Sequence, residues 1–194
     1  MKKFFALILI LLIAALALPI TFQSSAFAKS FSDVEKRVET LKKVYSLNAH
    51  VEGGYFSEVY TAPFSQNNRA TAGSIYFMLV GKDISHFHKI DCDEIWYYHE
   101  GDGLKIFVIR DGRAEEFLLG KDVARGQREM VIVPAESIFA AENLNDKSYT
   151  MISCVTTPKF RYEGFQLVTR NDLKKFYPQA GEKLLKLAYE KLPE

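Results

Sequence analysis

Cysteine is scarce in this 194-residue chain. There are two, Cys92 and Cys154, too few for a disulfide-stapled scaffold. An excess of charge of either sign is also lacking. Lys and Arg number 25 against 24 Asp and Glu, with no block of like charges, which argues against non-specific binding to nucleic acid or an anionic membrane. No internal repeat at solenoid periods occurs. After residue 28 no stretch is apolar enough to cross a bilayer.

The one long apolar run is at the start. Lys2 and Lys3 precede Phe4 to Leu18, and Ala26-Phe27-Ala28 forms a small-x-small site before Lys29. This pattern predicts a signal peptide over 1–28, cleaved after Ala28, and a secreted or periplasmic product that leaves the membrane. The run of about 15 residues falls short of the about 20 that a span needs. Residues 29–194 are expected to form one domain, with a barrel core over about 50–170. Removing Lys2 and Lys3 leaves the acids in slight excess.

Asp33 to Leu47 predicts an amphipathic helix with Ser32 as N-cap and Val34, Val38, Leu41, Val44 and Tyr45 on one face. From Gly54 the hydrophobic period changes to two. Strands are predicted at 55–61, 74–80, 84–90, 94–100, 104–109, 114–119, 129–133, 138–143, 149–155 and 165–169. Gly53-Gly54, Gly101-Asp102-Gly103, Asp111-Gly112 and Asn145-Asp146 supply turns. Many short strands without intervening helices predict an all-β sandwich or barrel, closed by one or two capping helices around Pro178.

Candidate chemistry concentrates between Gly81 and Gly101. On a strand, His86 and His88 point to one face, and Glu94 on the next strand could reach it. Two imidazoles and a carboxylate suit a divalent Fe, Mn, Zn or Ni ion, or else simply line a wet pocket. Alternation places Trp96 and Tyr98 with Glu94, and groups Phe139, Ala141 and Asn143, giving an aromatic-walled pocket for a small ligand. His50 and Glu52, in His-x-Glu-Gly-Gly before a strand, could supply an acid or base at its mouth. Arg69 could grip a carboxylate or phosphate, or form a surface ion pair. Cys154 reads as a small core residue, and Cys92 lies where a thiol could approach a metal. A bridge between the two is the remaining possibility.

The stretch Gly81, His86-x-His88, Glu94, Gly101 resembles the first signature of the cupin superfamily. Gly126 to Asn143 resembles the second, with Phe139 standing where that signature has its last metal-ligating histidine. The segment from His50 to Phe56, then Tyr60, Arg69, Asp93 to Trp96, Val133 to Ala135 and Cys154 to Phe160, is similar to a branch catalogued as a domain of unknown function. The resemblance implies a double-stranded β-helix (a cupin jelly-roll barrel) with an N-terminal helix and C-terminal capping helices, paired as a homodimer. It leaves three functions open. One is a metal-dependent isomerase, lyase or oxygenase using His86, His88 and Glu94. The second is a metal-free sugar-nucleotide epimerase-like enzyme with His88 as base and Tyr98 or Tyr76 as acid. The third is a non-catalytic barrel that binds a small polar or sugar-like molecule.

Overall fold

No glycine or proline interrupts residues 20–47, and the chain there forms one helix, α1 (Ile20–Val44). The structure, a computed structural model, describes residues 20–193, with side chains from Ser32. The expected leader at Lys2 to Leu18 lies outside the described residues. Ser32 sits inside α1 rather than at its cap, because nothing upstream stops the helical hydrogen-bond ladder. Val38 and Leu41 are buried as expected, whereas Val44, the last helical residue, is exposed. Among the described residues, no helix is long and apolar enough to cross a membrane.

The strands follow in chain order: β1 (Asn48–Ala49), β2 (Tyr55–Thr61), β3 (Ser65–Gln66), β4 (Arg69–Ala70), β5 (Gly73–Val80), β6 (Ile84–Lys89) and β7 (Asp93–Gly101). After these come β8 (Leu104–Arg110), β9 (Arg113–Leu119), β10 (Met130–Val133), β11 (Ile138–Asn143), β12 (Tyr149–Thr157) and β13 (Gln166–Leu167). Among the described residues they make two antiparallel sheets, ordered β1-β2-β5-β12-β7-β10 and β13-β6-β11-β8-β9, plus the small hairpin β3-β4. The crossed order, with β12 between β5 and β7 and β11 between β6 and β8, is that of a jelly roll. The strand expected to reach Thr169 stops at Leu167, because Thr169 caps the next helix, α2 (Arg170–Phe176), by accepting from Asp172 N. A second short helix, α3 (Glu182–Leu185), follows Pro178.

Alternation sorts the side chains into two cores. Between the sheets, Phe77, Trp96, Leu104, Ile106, Phe139 and Ile152 are buried with both cysteines. On the far side of the five-stranded sheet, Phe87, Phe107 and Ile109 pack with Val168, Leu173, Leu185 and Leu187 of the C-terminal segment. Phe139 is fully buried, with its ring centre 4.1 Å from that of His88. Phe139→Ala is expected to cost about 3–5 kcal/mol, as a cavity opens that rigid strands cannot close. The midpoint of urea unfolding reads this directly, and an unchanged midpoint would refute it.

Cys92 and Cys154 are free thiols in the inter-sheet core. Burial pushes the Cys92 thiol up to about 12 and that of Cys154 well above its ordinary value. The bridged and metal-thiolate alternatives therefore give way to small buried core residues.

Candidate functional site

The loop between β1 and β2 turns back at Gly53 and Gly54, both with positive φ, and brings Glu52 under the end of β6. Two hydrogen bonds hold it there: His86 N donates to the Glu52 carbonyl at 2.8 Å, and His86 Nδ1 lies 2.8 Å from the same oxygen. The Glu52 side chain is thereby buried. Its Oε1 accepts from Ser85 Oγ at 2.8 Å, while Oε2 lies 3.3 Å from His88 Nε2 and 3.4 Å from His50 Nδ1. Burial alone would raise the Glu52 pKa. The charge on His88 and the contacts with His50 and Ser85 outweigh it and hold the carboxyl below its ordinary value.

His88 is fixed from its other side. Its Nδ1 lies 2.7 Å from the His86 carbonyl oxygen, which can only accept, so Nδ1 carries a proton. Nε2 is left facing Glu52.

Glu94 enters from β7. Its neighbours across the sheet put Glu94, Trp96, Cys154 and Thr156 on the same inner face. Burial, and then repulsion from Glu52, push its carboxyl up to about 7. A cavity of about 70 Å³ joins these groups, bounded by His50, Glu52, Phe56, Phe77, His88, Glu94, Trp96 and Cys154. That exceeds the roughly 10–15 Å³ that one water needs. Glu58, Lys159, Phe160 and Tyr162 also border it.

The expected metal triad does not assemble. β6 pairs with β11 through Phe139↔His88 and then Ala141↔Ser85, so β6 carries one extra residue. This bulge breaks the alternation that would have put His86 beside His88. Ser85 reaches Glu52 instead, and the His86 ring stacks on Tyr189 at 3.8 Å. His88 Nε2 faces Glu52, and Phe139 packs on the His88 ring. Among the described residues, no group of three or more His, Cys, Asp or Glu side chains is arranged to hold a metal ion. The donors present therefore do not fit the divalent ion expected at His86, His88 and Glu94.

Other expected pocket residues also lie elsewhere. Tyr76 has Ile75 and Phe77 as its cavity-lining neighbours, so it takes the opposite face and packs on Tyr45, 4.5 Å between ring centres. Tyr98 sits at a bulge of β7 and donates to the Gly101 carbonyl at 2.7 Å. Asn143 Nδ2 donates to the Gly81 carbonyl, and Asn143 borders a different surface hollow. Arg69 grips Asp91 with both terminal nitrogens at 2.8 Å and donates from Nε to the Lys159 carbonyl. Phe139 belongs to the core beneath His88. His50, Glu52, His88, Glu94 and Trp96 do meet at the cavity. Sequence reasoning missed Ser85, Tyr162 and Lys159. Ser85 needed the bulge, whereas Lys159 and Tyr162 lie on the segment after β12, where no periodicity exists to place them.

A family model described as Cupin superfamily (DUF985) matches residues 39–168. An uncharacterized protein of Saccharomyces cerevisiae is 26% identical over 147 residues, 66% of this chain and 73% of its own. A hypothetical protein from Leishmania major is 31% identical, with a TM-score of 0.73 over 78% of this chain and 98% of that one. A crystal structure of a protein from Shewanella oneidensis is 32% identical, with a TM-score of 0.74 over 80% of this chain and 98% of that one. The two interleaved sheets and a family match that spans most of the barrel lead to one conclusion: this chain belongs to the cupin superfamily, in the branch described as DUF985.

Proposed function

We propose that this cupin takes a small organic molecule into its barrel and moves a proton on it, with His88 and Glu52 as the acid–base pair. The observation that carries the reading is the 3.3 Å approach of His88 Nε2 to Glu52 Oε2 at the cavity wall. Each partner is oriented by a second bond, His88 through the His86 carbonyl and Glu52 through Ser85. An imidazole nitrogen and a carboxylate that can pass one proton between them, each held by a further bond, form the acid–base pair that such catalysis needs. The reaction type it suits is isomerase- or lyase-like proton abstraction.

A sugar-nucleotide ligand is less well supported. A diphosphate calls for cations, yet Arg69 is engaged by Asp91, and Lys159 at the cavity already donates to Glu58 at 3.0 Å. The proposal includes action outside the cytoplasm, supported by the leader-like Met1 to Ala28.

The test is solvent exchange. The mature protein is incubated in heavy water with a panel of small sugars, oxo acids and amino compounds, and proton NMR follows loss of carbon-bound hydrogen. At least one compound is expected to exchange, and His88→Gln and Glu52→Gln to slow that exchange by about 10²–10⁴-fold with the fold retained by circular dichroism. Exchange that persists in both variants would overturn the pair. Tight binding without exchange would make the barrel a binding module.

A further inference from the structure

We infer that the ligand of this cavity carries a cationic head group, an ammonium seated against Glu94 and between aromatic faces. The inference rests on the cavity being the ligand site, as proposed above, and not on the chemistry assigned to His88. It starts from charge balance at the wall. Glu52, Glu58 and Glu94 border the cavity, against a single Lys or Arg side chain, Lys159. Lys159 Nζ is bound to Glu58 at 3.0 Å and to Thr61 Oγ1 at 2.8 Å. Glu52 is occupied by His88, His50 and Ser85.

Glu94 is the carboxyl left over. It is 8% exposed, and among the described residues no salt bridge reaches it. The His50 imidazole, whose charge also acts on Glu94, is committed to Glu52 Oε2 at 3.4 Å, and the polar groups beside Glu94 are the Cys154 thiol and the Trp96 indole. Neither carries a positive charge, and Trp96 Nε1 makes no hydrogen bond of good geometry. A buried carboxylate without a cation is costly, and a ligand that brings the cation relieves that cost.

The walls suit the same head group. Phe56, Phe77, Trp96 and Tyr162 border the cavity, and ring faces attract a desolvated ammonium. An anionic head group would meet two carboxylates, Glu52 and Glu94, with no free Lys or Arg side chain at the wall to offset them.

The experiment uses three probes with one carbon skeleton, 3-methylbutylamine, 3-methylbutanol and 3-methylbutanoate, titrated calorimetrically into the mature protein at pH 8. The amine remains charged there. It is expected to bind at least tenfold more tightly than the alcohol, with no detectable binding of the acid. Glu94→Gln, checked for folding by circular dichroism, is expected to bring the amine down to the level of the alcohol. The inference is overturned if the alcohol or acid binds as well as the amine, if the preference survives Glu94→Gln, or if none of the three binds at millimolar concentration. An amine preference without solvent exchange would uphold this inference while the acid–base reading fails. Exchange without an amine preference would do the reverse.

Discussion

Gly53→Ala is expected to destabilise this protein by about 3–5 kcal/mol and to dismantle its site, although it adds only a methyl group. Gly53 holds φ at +109°, a region that side-chain-bearing residues rarely enter. An added Cβ would lie 2.0 Å from the Ile84 carbonyl oxygen and 3.3 Å from His86 Nδ1. The first obstacle is backbone in a paired strand and cannot rotate away. The loop would have to lift, and the bonds from His86 to the Glu52 carbonyl would go with it. The matched control is Gly112→Ala in the hairpin between β8 and β9. There φ is +71° and nothing lies within 4 Å, so backbone strain acts alone, at about 1 kcal/mol. Urea unfolding of both variants settles the matter. Equal losses would mean that the contact with β6 does not hold the loop.

Glu94→Gln is expected to make the protein more stable above pH 7 and to flatten its response to pH. The Glu94 carboxyl titrates near 4.5 in the unfolded chain and at about 7 in the folded one. Between those values the folded state keeps a proton that the unfolded state has lost. Its contribution to stability is therefore complete below pH 4.5 and declines as pH rises to about 7, by about 1.4 kcal/mol per pH unit. The accumulated difference between variant and wild type is about 3 kcal/mol. Glu52 shifts the other way, and its influence falls below pH 4.5. His86, held below its ordinary value chiefly by burial, adds stability as pH rises toward 6.5 and partly offsets Glu94 in the wild-type curve. Subtracting the wild-type curve from that of Glu94→Gln removes the His86 contribution. Unfolding free energies at pH 4.5, 6 and 8 that stay parallel would show that Glu94 does not carry this effect.

The strands were legible because their signal is local. β2 and β11 have the predicted bounds, β5 and β8 differ by a residue at one end, and β7 is longer by a residue at each end. Alternation also placed Trp96 with Glu94 on the inner face. It also put Tyr98 against the inter-sheet core, and it failed at His86, where β6 carries a bulge. An inserted residue shifts the parity of everything beyond it, and its position depends on the partner strand. Arg69 failed for a related reason: its partner Asp91 is 22 residues away, so nothing near Arg69 in the chain announces that its charge is already engaged.

Composition, alternation and turn residues were enough to point to an all-β sandwich or barrel, which the resemblance of the signature segments narrowed to a jelly roll, and to mark His50, Glu52 and His88 as groups worth following. These are properties of neighbouring residues, set by the two-residue period of a strand and the backbone freedom of glycine. Which of those groups meet is a non-local matter. The folded chain joins His88 to Glu52, 36 positions apart in the sequence, rather than to His86 two residues away. One bulge in β6 and one close glycine contact under Ile84 made that choice. It depends on strand register and on the distance between packed backbones, and both exist only once the sheets have closed.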